Sequence, residues 1–354
     1  RAAIDTFKGE ASLASQPEAE ALLEEGVDLD TPLAQVYILD YAALVQQSIA
    51  ASEEEATISP EALQQLQQIE SMVYGVGVAD LGVQVRGVAI AAPDADLGRF
   101  PNASGEIVSQ FPADTLALVS GAGVSDIWNQ IVERSSASPD SQGAIAIFRG
   151  ALSSVGLTDS EIFGWMDGEF AIGVIPSPQG FAQTGLGGAI IIETSDRAAA
   201  TATLEKLQNL AQSNTPLPIN ISDRDLEGTT VTDWTVPQAV PGPLLSYGWI
   251  EEDTVFVALG GLAEMVVGDP ETALDNGELF ARITDILPDA NAGYVYVNGQ
   301  QALQLMQMAG QTGQIPPDVM AGFSSIDGWA ATIAMPDPTE IRFDLAIDLV
   351  ENGQ

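Results

Sequence analysis

The stretch Glu161–Val174, EIFGWMDGEFAIGV, with Gly188–Glu193, GAIIIE, decides how the rest of the chain is read. After the Asp167-Gly168 turn the residues alternate, so that Phe170, Ile172 and Val174 share one face of a strand. A second strand returns through a Pro/Gly loop, which makes a hairpin, and Gly185–Gly188 reads as its flexible tip. The pattern comes back at Ser325–Asp348, and more weakly at Ser71–Ile90. The chain therefore reads as one hairpin-centred unit written about three times.

Around these hairpins the flanking segments fall into place. Leu33–Leu39 reads as a strand and Tyr41–Ala51 as a helix, and a further helix starts at Ser59-Pro60 and runs to about Ser71. Arg1–Glu25 is helical by its Leu22-Leu23 stripe. In the second copy come strand Thr115–Val119, helix Ser125–Arg134 and helical Gln142–Val155. Asp196–Gln212 is an amphipathic helix with Ala200, Leu204 and Leu207 on one face. Strand pairs follow at Ile219–Val236, turning near Glu227-Gly228, and at Leu244–Ile250 with Thr254–Leu259. A helix-rich Gly261–Leu287 leads to strand Gly293–Val297, helices Gln300–Ala309 and Pro317–Phe323, and the last hairpin. Its final strand puts Ile341, Phe343, Leu345, Ile347 and Leu349 on one side, and Arg342, Asp344 and Asp348 on the other.

The fold class is α+β: internally repeated strand-helix-helix-strand-strand units with mostly antiparallel sheets, about one and a half modules. Residues 33–92, 112–195 and 291–350 are expected to superpose, with Asp167-Gly168 and Asp327-Gly328 at equivalent turns. Residues 1–92 read as the second half of an N-terminally incomplete module, 93–106 as a linker, and 107–350 as a complete module. On that reading the hairpin at 71–92 has an open strand edge, to be completed by upstream residues or by another chain.

Charge bounds the function. Fifty acidic residues face eleven basic ones, a formal net charge of −39. Unpaired carboxylates belong in solvent, because burying one costs several kcal/mol. Such a surface repels nucleic acid and anionic lipid. It suits a salty or cation-rich compartment, where screening relieves the self-repulsion. There is no cysteine and no histidine, which removes thiolate chemistry, the commonest general base and the commonest metal ligand. No apolar run has the roughly 18–20 residues needed to span a bilayer.

The remaining constellations carry little chemistry. Gly121-Ala122-Gly123 sits where a phosphate loop could lie, but Asp126 replaces the third glycine, so a tight strand-helix turn is the simpler reading. Ser222-Asp223-Arg224-Asp225 and Asp94-Ala95-Asp96 lack the glycine and distal glutamate of a calcium loop, and solvated turn acids are the default. The tryptophans 128, 165, 234, 249 and 329 read as core rather than as a sugar-stacking stripe. No catalytic, cofactor-binding or metal-binding residue is assigned.

The phrases FPADTLALVSG, IFGWMDGEFAIGVIP, AIIIETSDRAAATATLEKL and TTVTDWTVP…LLSYGWIEEDTVFVALG resemble the cyanobacterial family known as domain of unknown function 3352. The likeness covers about 111–350, with 1–92 as a partial second copy. It implies a protein of the bacterial envelope, periplasm or thylakoid lumen, carried there by an N-terminal signal or anchor that these residues do not include. It implies no activity and no catalytic residues. The expectation is a non-catalytic extracytoplasmic binding or scaffold protein, with an unknown protein partner such as a membrane complex or its own upstream segment, and no nucleic acid. The alternatives are a carboxylate-based hydrolase with a cleft between modules, and a subunit of an extracellular or membrane-associated assembly. Two buried carboxylates about 5–10 Å apart in a pocket, one with a raised pKa, would favour the hydrolase.

Overall fold

The computed structural model describes residues 27, 29, 31–51, 67–95, 97–135, 139–177, 180, 185–214, 219–236, 242–268, 270–308 and 317–350. The helices expected over Arg1–Glu25 and from Ser59-Pro60 lie outside these residues, apart from the end of the second. There Ile69–Ser71 is already strand, because β-branched and alternating residues take over from the helical pattern. Nine α-helices and thirteen strands are formed among the described residues. The chain packs as two compact units, Arg1–Arg99 with Ile333–Ile347, and Phe100–Thr332 with Asp348–Gln354.

The first unit is built on β1 (Thr31–Ile38), helix α1 (Tyr41–Ala51), β2 (Ile69–Ala79) and β3 (Gly82–Ala91). To these it adds parts of the last hairpin, β12 (Ile326–Asp337) and β13 (Glu340–Leu349). The hydrogen-bonded order is β1-β2-β3-β13-β12, and β1, β2 and β3 are antiparallel. The expected open edge at 71–92 is therefore absent. That hairpin is paired on both sides, by β1 and by β13, and the Ala91 amide donates to Thr339 O at 2.7 Å. Val27, Leu29, Val73 and Val88 form the core, with Tyr37, Leu39 and Ile90 against it. A Cβ on Gly87 would meet the Phe343 ring at 2.0 Å, so glycine there makes room for the aromatic.

The alternation of β13 is as expected, and the side that carries the acids is the buried one. Glu340, Asp344, Ala346 and Asp348 are the buried residues, while Ile341, Phe343, Leu345 and Ile347 are half-buried. Arginines make this affordable: Arg86 Nε donates to Asp344 at 2.7 Å, and Arg342 pairs with Glu340. In the second unit Arg282 does the same for Asp348 at 2.5 Å. A paired and hydrogen-bonded carboxylate can be buried where a lone one cannot.

The second unit holds β4 (Ala117–Ala122), helices α2 (Val124–Ser135), α3 (Pro139–Ser154) and α4 (Asp159–Phe163), then β5 (Glu169–Pro176) and β6 (Leu186–Glu193). Helix α5 (Arg197–Asn214) leads to β7 (Asn220–Leu226), β8 (Thr229–Thr235), β9 (Pro243–Trp249) and β10 (Thr254–Leu259). Short α6 (Ala263–Val267) and α7 (Glu278–Thr284) precede β11 (Tyr294–Asn298), α8 (Gly299–Met308) and α9 (Pro317–Ser324). The strand order is β12-β11-β4-β5-β6-β10-β9-β8-β7, with antiparallel neighbours throughout. The β7–β8 turn falls at Glu227-Gly228, both at positive φ, as a two-residue hairpin requires.

Asp167-Gly168 leads into β5 as read, and is tied to the residues after β6 by Ser195, whose amide donates to Asp167 at 2.9 Å and whose hydroxyl also donates to it. One local reading changes: Gly187 and Gly188 are not a flexible tip but lie within β6, where a Cβ on Gly187 would be 2.6 Å from Leu262. In each of the three regions read as copies, the first strand pairs with the second and the second with the third: β1-β2-β3, β4-β5-β6 and β11-β12-β13. The shared connectivity is a matter of strand order. Their descent from one repeated unit is a proposal that superposition of their Cα traces would test.

Candidate functional site

Adjacent rows of the second unit's sheet have opposite character. One row runs across the strands as Ala330, Tyr296, Leu118, Gly173, Ala189, Ala258, Ser246 and Asp233. All of these are buried. Small strand residues leave space for large ones from the covering segments. A Cβ on Gly173 would be 2.4 Å from Phe111, and Phe280 meets Tyr296 edge-on at 5.0 Å. Burial pushes the Tyr296 phenol up to about 12. The row ends in a polar knot: Ser246 Oγ donates to Asp233 at 2.6 Å, and Arg224 donates to Asp233 at 2.6 Å and to Glu264 at 2.7 Å.

One residue along each strand, the row facing the other way is Ala331, Val295, Val119, Ile172, Ile190, Val257 and Tyr247. Helix α5 covers part of this face, packing Ala200 and Leu204 with Trp165, Ile192, Val255 and Trp249. The middle is open. Val295 is 40%, Val119 44% and Ile172 46% exposed, on three neighbouring strands in direct register. β-branched side chains side by side form a flat apolar ridge in water. Beside α5 lie two clefts. One of about 510 Å³ has Leu204, Glu205 and Gln208 facing Asp223, Tyr247 and Trp249. Another of about 420 Å³ lies between α4 and α5, bridged by Lys206 Nζ on Glu161 at 2.7 Å.

A carboxyl pair lies at the end of the buried face. Glu169 and Glu193 each stand one step beyond the Phe170↔Ile192 pair, on the face of Ala171 and Ile191. Glu169 is buried with no basic partner among the described residues, contrary to the expectation that such acids stay in solvent. Backbone amides take the place of a base: Ser104 N and Gly105 N, the latter at 3.2 Å, donate to its Oε1. Its Oε2 is buried with no partner. Burial pushes the Glu193 carboxyl up. The Glu169 amide pulls it partly back, and the charges of Glu169, Asp253 and Glu106 push it further. Neither glutamate lines the clefts beside α5, nor the 410 Å³ cleft by Asp40 and Gln46 in the first unit.

The residues singled out in sequence have structural duties. Gly123, at φ 69, makes the β4–α2 turn. Ser222–Asp225 lies in β7, where Asp223 accepts from Thr232 at 2.8 Å and Asp225 from Gly228 N at 3.2 Å. Asp96 lies outside the described residues, and among those described no group of three or more acids could hold a metal ion. Trp165 is buried, Trp128 clusters with Phe148 and Phe163, and Trp234 meets Tyr247 edge-on at 6.5 Å. No helix among the described residues is long and apolar enough to cross a membrane.

Over residues 1–349 the sequence matches the family described as "Protein of unknown function (DUF3352)". The chain belongs to this family. No curated protein and no solved structure matches this DUF3352 member. The exposed ridge of this member was hidden in sequence, where Ile172 reads like any core strand residue. The Glu169–Glu193 pair left a trace, since both acids end apolar strands that pair.

Proposed function

We propose that this protein works by binding and not by catalysis, outside the cytoplasm, with the ridge Val295–Val119–Ile172 as its docking surface. The observation that carries the reading is the exposure of three β-branched residues in one cross-strand row at the middle of a sheet. The occupant we propose is a protein partner presenting an apolar stripe flanked by lysine or arginine, because a chain of net charge −39 attracts positive charge and repels a second copy of itself. The hydrolase alternative draws on Glu169 and Glu193. It is disfavoured because backbone amides hold the Glu169 carboxylate, and neither glutamate lines any of the three clefts described above.

The test uses the full chain and two helical peptides with one apolar stripe, one flanked by lysines and its twin by glutamates. The lysine peptide binds, more weakly in high salt and more weakly still to Ile172→Asn. Equal binding of both twins, or binding untouched by Ile172→Asn, overturns the reading. Cell fractionation checks the compartment, and recovery of the chain with the cytosol would count against it.

A further inference from the structure

We propose that Glu169 and Glu193 share one proton, held by Glu193 and donated to Glu169 Oε2, and that this pair is a pH-sensitive latch on segment Ala103–Glu106. The geometry leaves one acceptor unexplained. Glu169 Oε1 has two amide donors, whereas Oε2 is buried without any. An orphaned carboxylate oxygen out of water is costly, and a donor must come from what lies beside it. The Glu193 carboxyl lies beside it, and the charges that act on Glu193 are those of Glu169, Asp253 and Glu106, all of them acidic. The Glu169 amide already donates to Glu193 Oε2 at 3.3 Å, which holds the two carboxyl groups together.

Two carboxylates held side by side repel, and one proton between them turns that repulsion into a hydrogen bond. The raised affinity of Glu193 for its proton has the same sense. The latch follows from what Glu169 holds. Ser104 and Gly105 bind its Oε1, Ala103 N donates to Asn291 O at 2.9 Å, and Glu106 N donates to Ser104 Oγ at 3.2 Å. When pH rises, Glu193 loses its proton to water, and the pair becomes two facing negative charges. Glu169 is then pushed from its amides, and the segment over the buried face loosens.

The experiment follows glutamate carboxyl ¹³C shifts of the full chain through a pH titration, with amide exchange of Ser104 and Gly105. One carboxyl titrates above the other glutamates and disappears from the set in Glu193→Gln. Above its midpoint, protection of the Ser104 and Gly105 amides drops roughly tenfold beyond the ordinary base catalysis of exchange. Glu193→Gln keeps a donor for Oε2 and makes that protection independent of pH. Glu169→Gln lowers the Glu193 midpoint but leaves it above the other glutamates, because burial still opposes its ionisation. A wild-type Glu193 that titrates with the other glutamates overturns the shared proton. Amide protection with the same pH profile in wild type and Glu193→Gln overturns the latch.

Discussion

The two rows of the second unit's sheet, one residue apart along every strand, contrast in how they are finished. The buried row is made of Gly173, Ala189, Ala258, Ala330 and Ser246, and its bulk arrives from Phe111, Phe280 and other residues of the covering segments. The opposite row carries its own bulk in Val295, Val119 and Ile172, which stay 40–46% exposed. A strand face rich in large apolar residues is thus the less buried of the two. Burial depends on what the rest of the chain lays across a face, and close packing rewards small strand residues where aromatic rings come down on them.

The largest expected break in this contrast is Phe111→Ala. Phe111 is fully buried against Gly173, and its loss should cost about 3–5 kcal/mol, read from urea unfolding. A loss below about 1 kcal/mol would mean the face is not sealed by this ring. Next comes Asp348→Ala, which strips Arg282 of its buried partner. Because Arg282 is partly exposed and can turn to water, the expected cost is about 1–3 kcal/mol. An unchanged midpoint of unfolding would show that the pair contributes nothing net.

Acidity sharpens the comparison in two directions. Burial opposes ionisation of Asp167, but the Ser195 hydroxyl and amide outweigh it and hold the carboxyl below the ordinary range. Its contribution is present above the ordinary aspartate value and is lost as pH falls through the lowered one. In the first unit burial raises Asp344, against the pull of Arg86. Its contribution is full below the ordinary value and fades as pH rises through the raised one. Unfolding curves from acid to neutral should therefore lose part of their acid-side slope in Asp167→Asn, and part of a neutral-side decline in Asp344→Asn. Parallel profiles for wild type and both variants would refute these assignments.

The smallest effect on stability is expected on the open ridge. Val119→Thr and Ile172→Thr should change unfolding free energy by no more than about 0.5 kcal/mol, while lowering binding of an apolar fluorescent dye to the native chain. A cost like that of Phe111→Ala would show that the ridge is covered.

Much of the architecture is legible along the chain. Alternation located the hairpins at 71–90, 169–193 and 326–349, because a strand shows its two faces in every second residue. Helix α5 is legible too, since Ala200 and Leu204 lie on one helical face and pack together with Trp249. Periodicity names two faces and does not say which one is covered. Ile341, Phe343 and Leu345 look like a core stripe, yet their neighbours Asp344 and Asp348 are the buried ones, because Arg86 and Arg282 arrive from distant parts of the chain.

By itself, then, the sequence determined the period, the hairpins, the α+β class, the family and the excess of negative charge. Tertiary structure alone decided that β1 and β13 close the first hairpin's edges, that Phe111 descends on Gly173, and that Ile172 stays in water. It also brought Glu169 beside Glu193 beneath the Ser104 and Gly105 amides. The physical reason is that secondary structure follows from neighbours along the chain. Burial, ion pairing and carboxyl ionisation follow from groups tens to hundreds of residues away, such as Arg86 and Asp344, 258 positions apart.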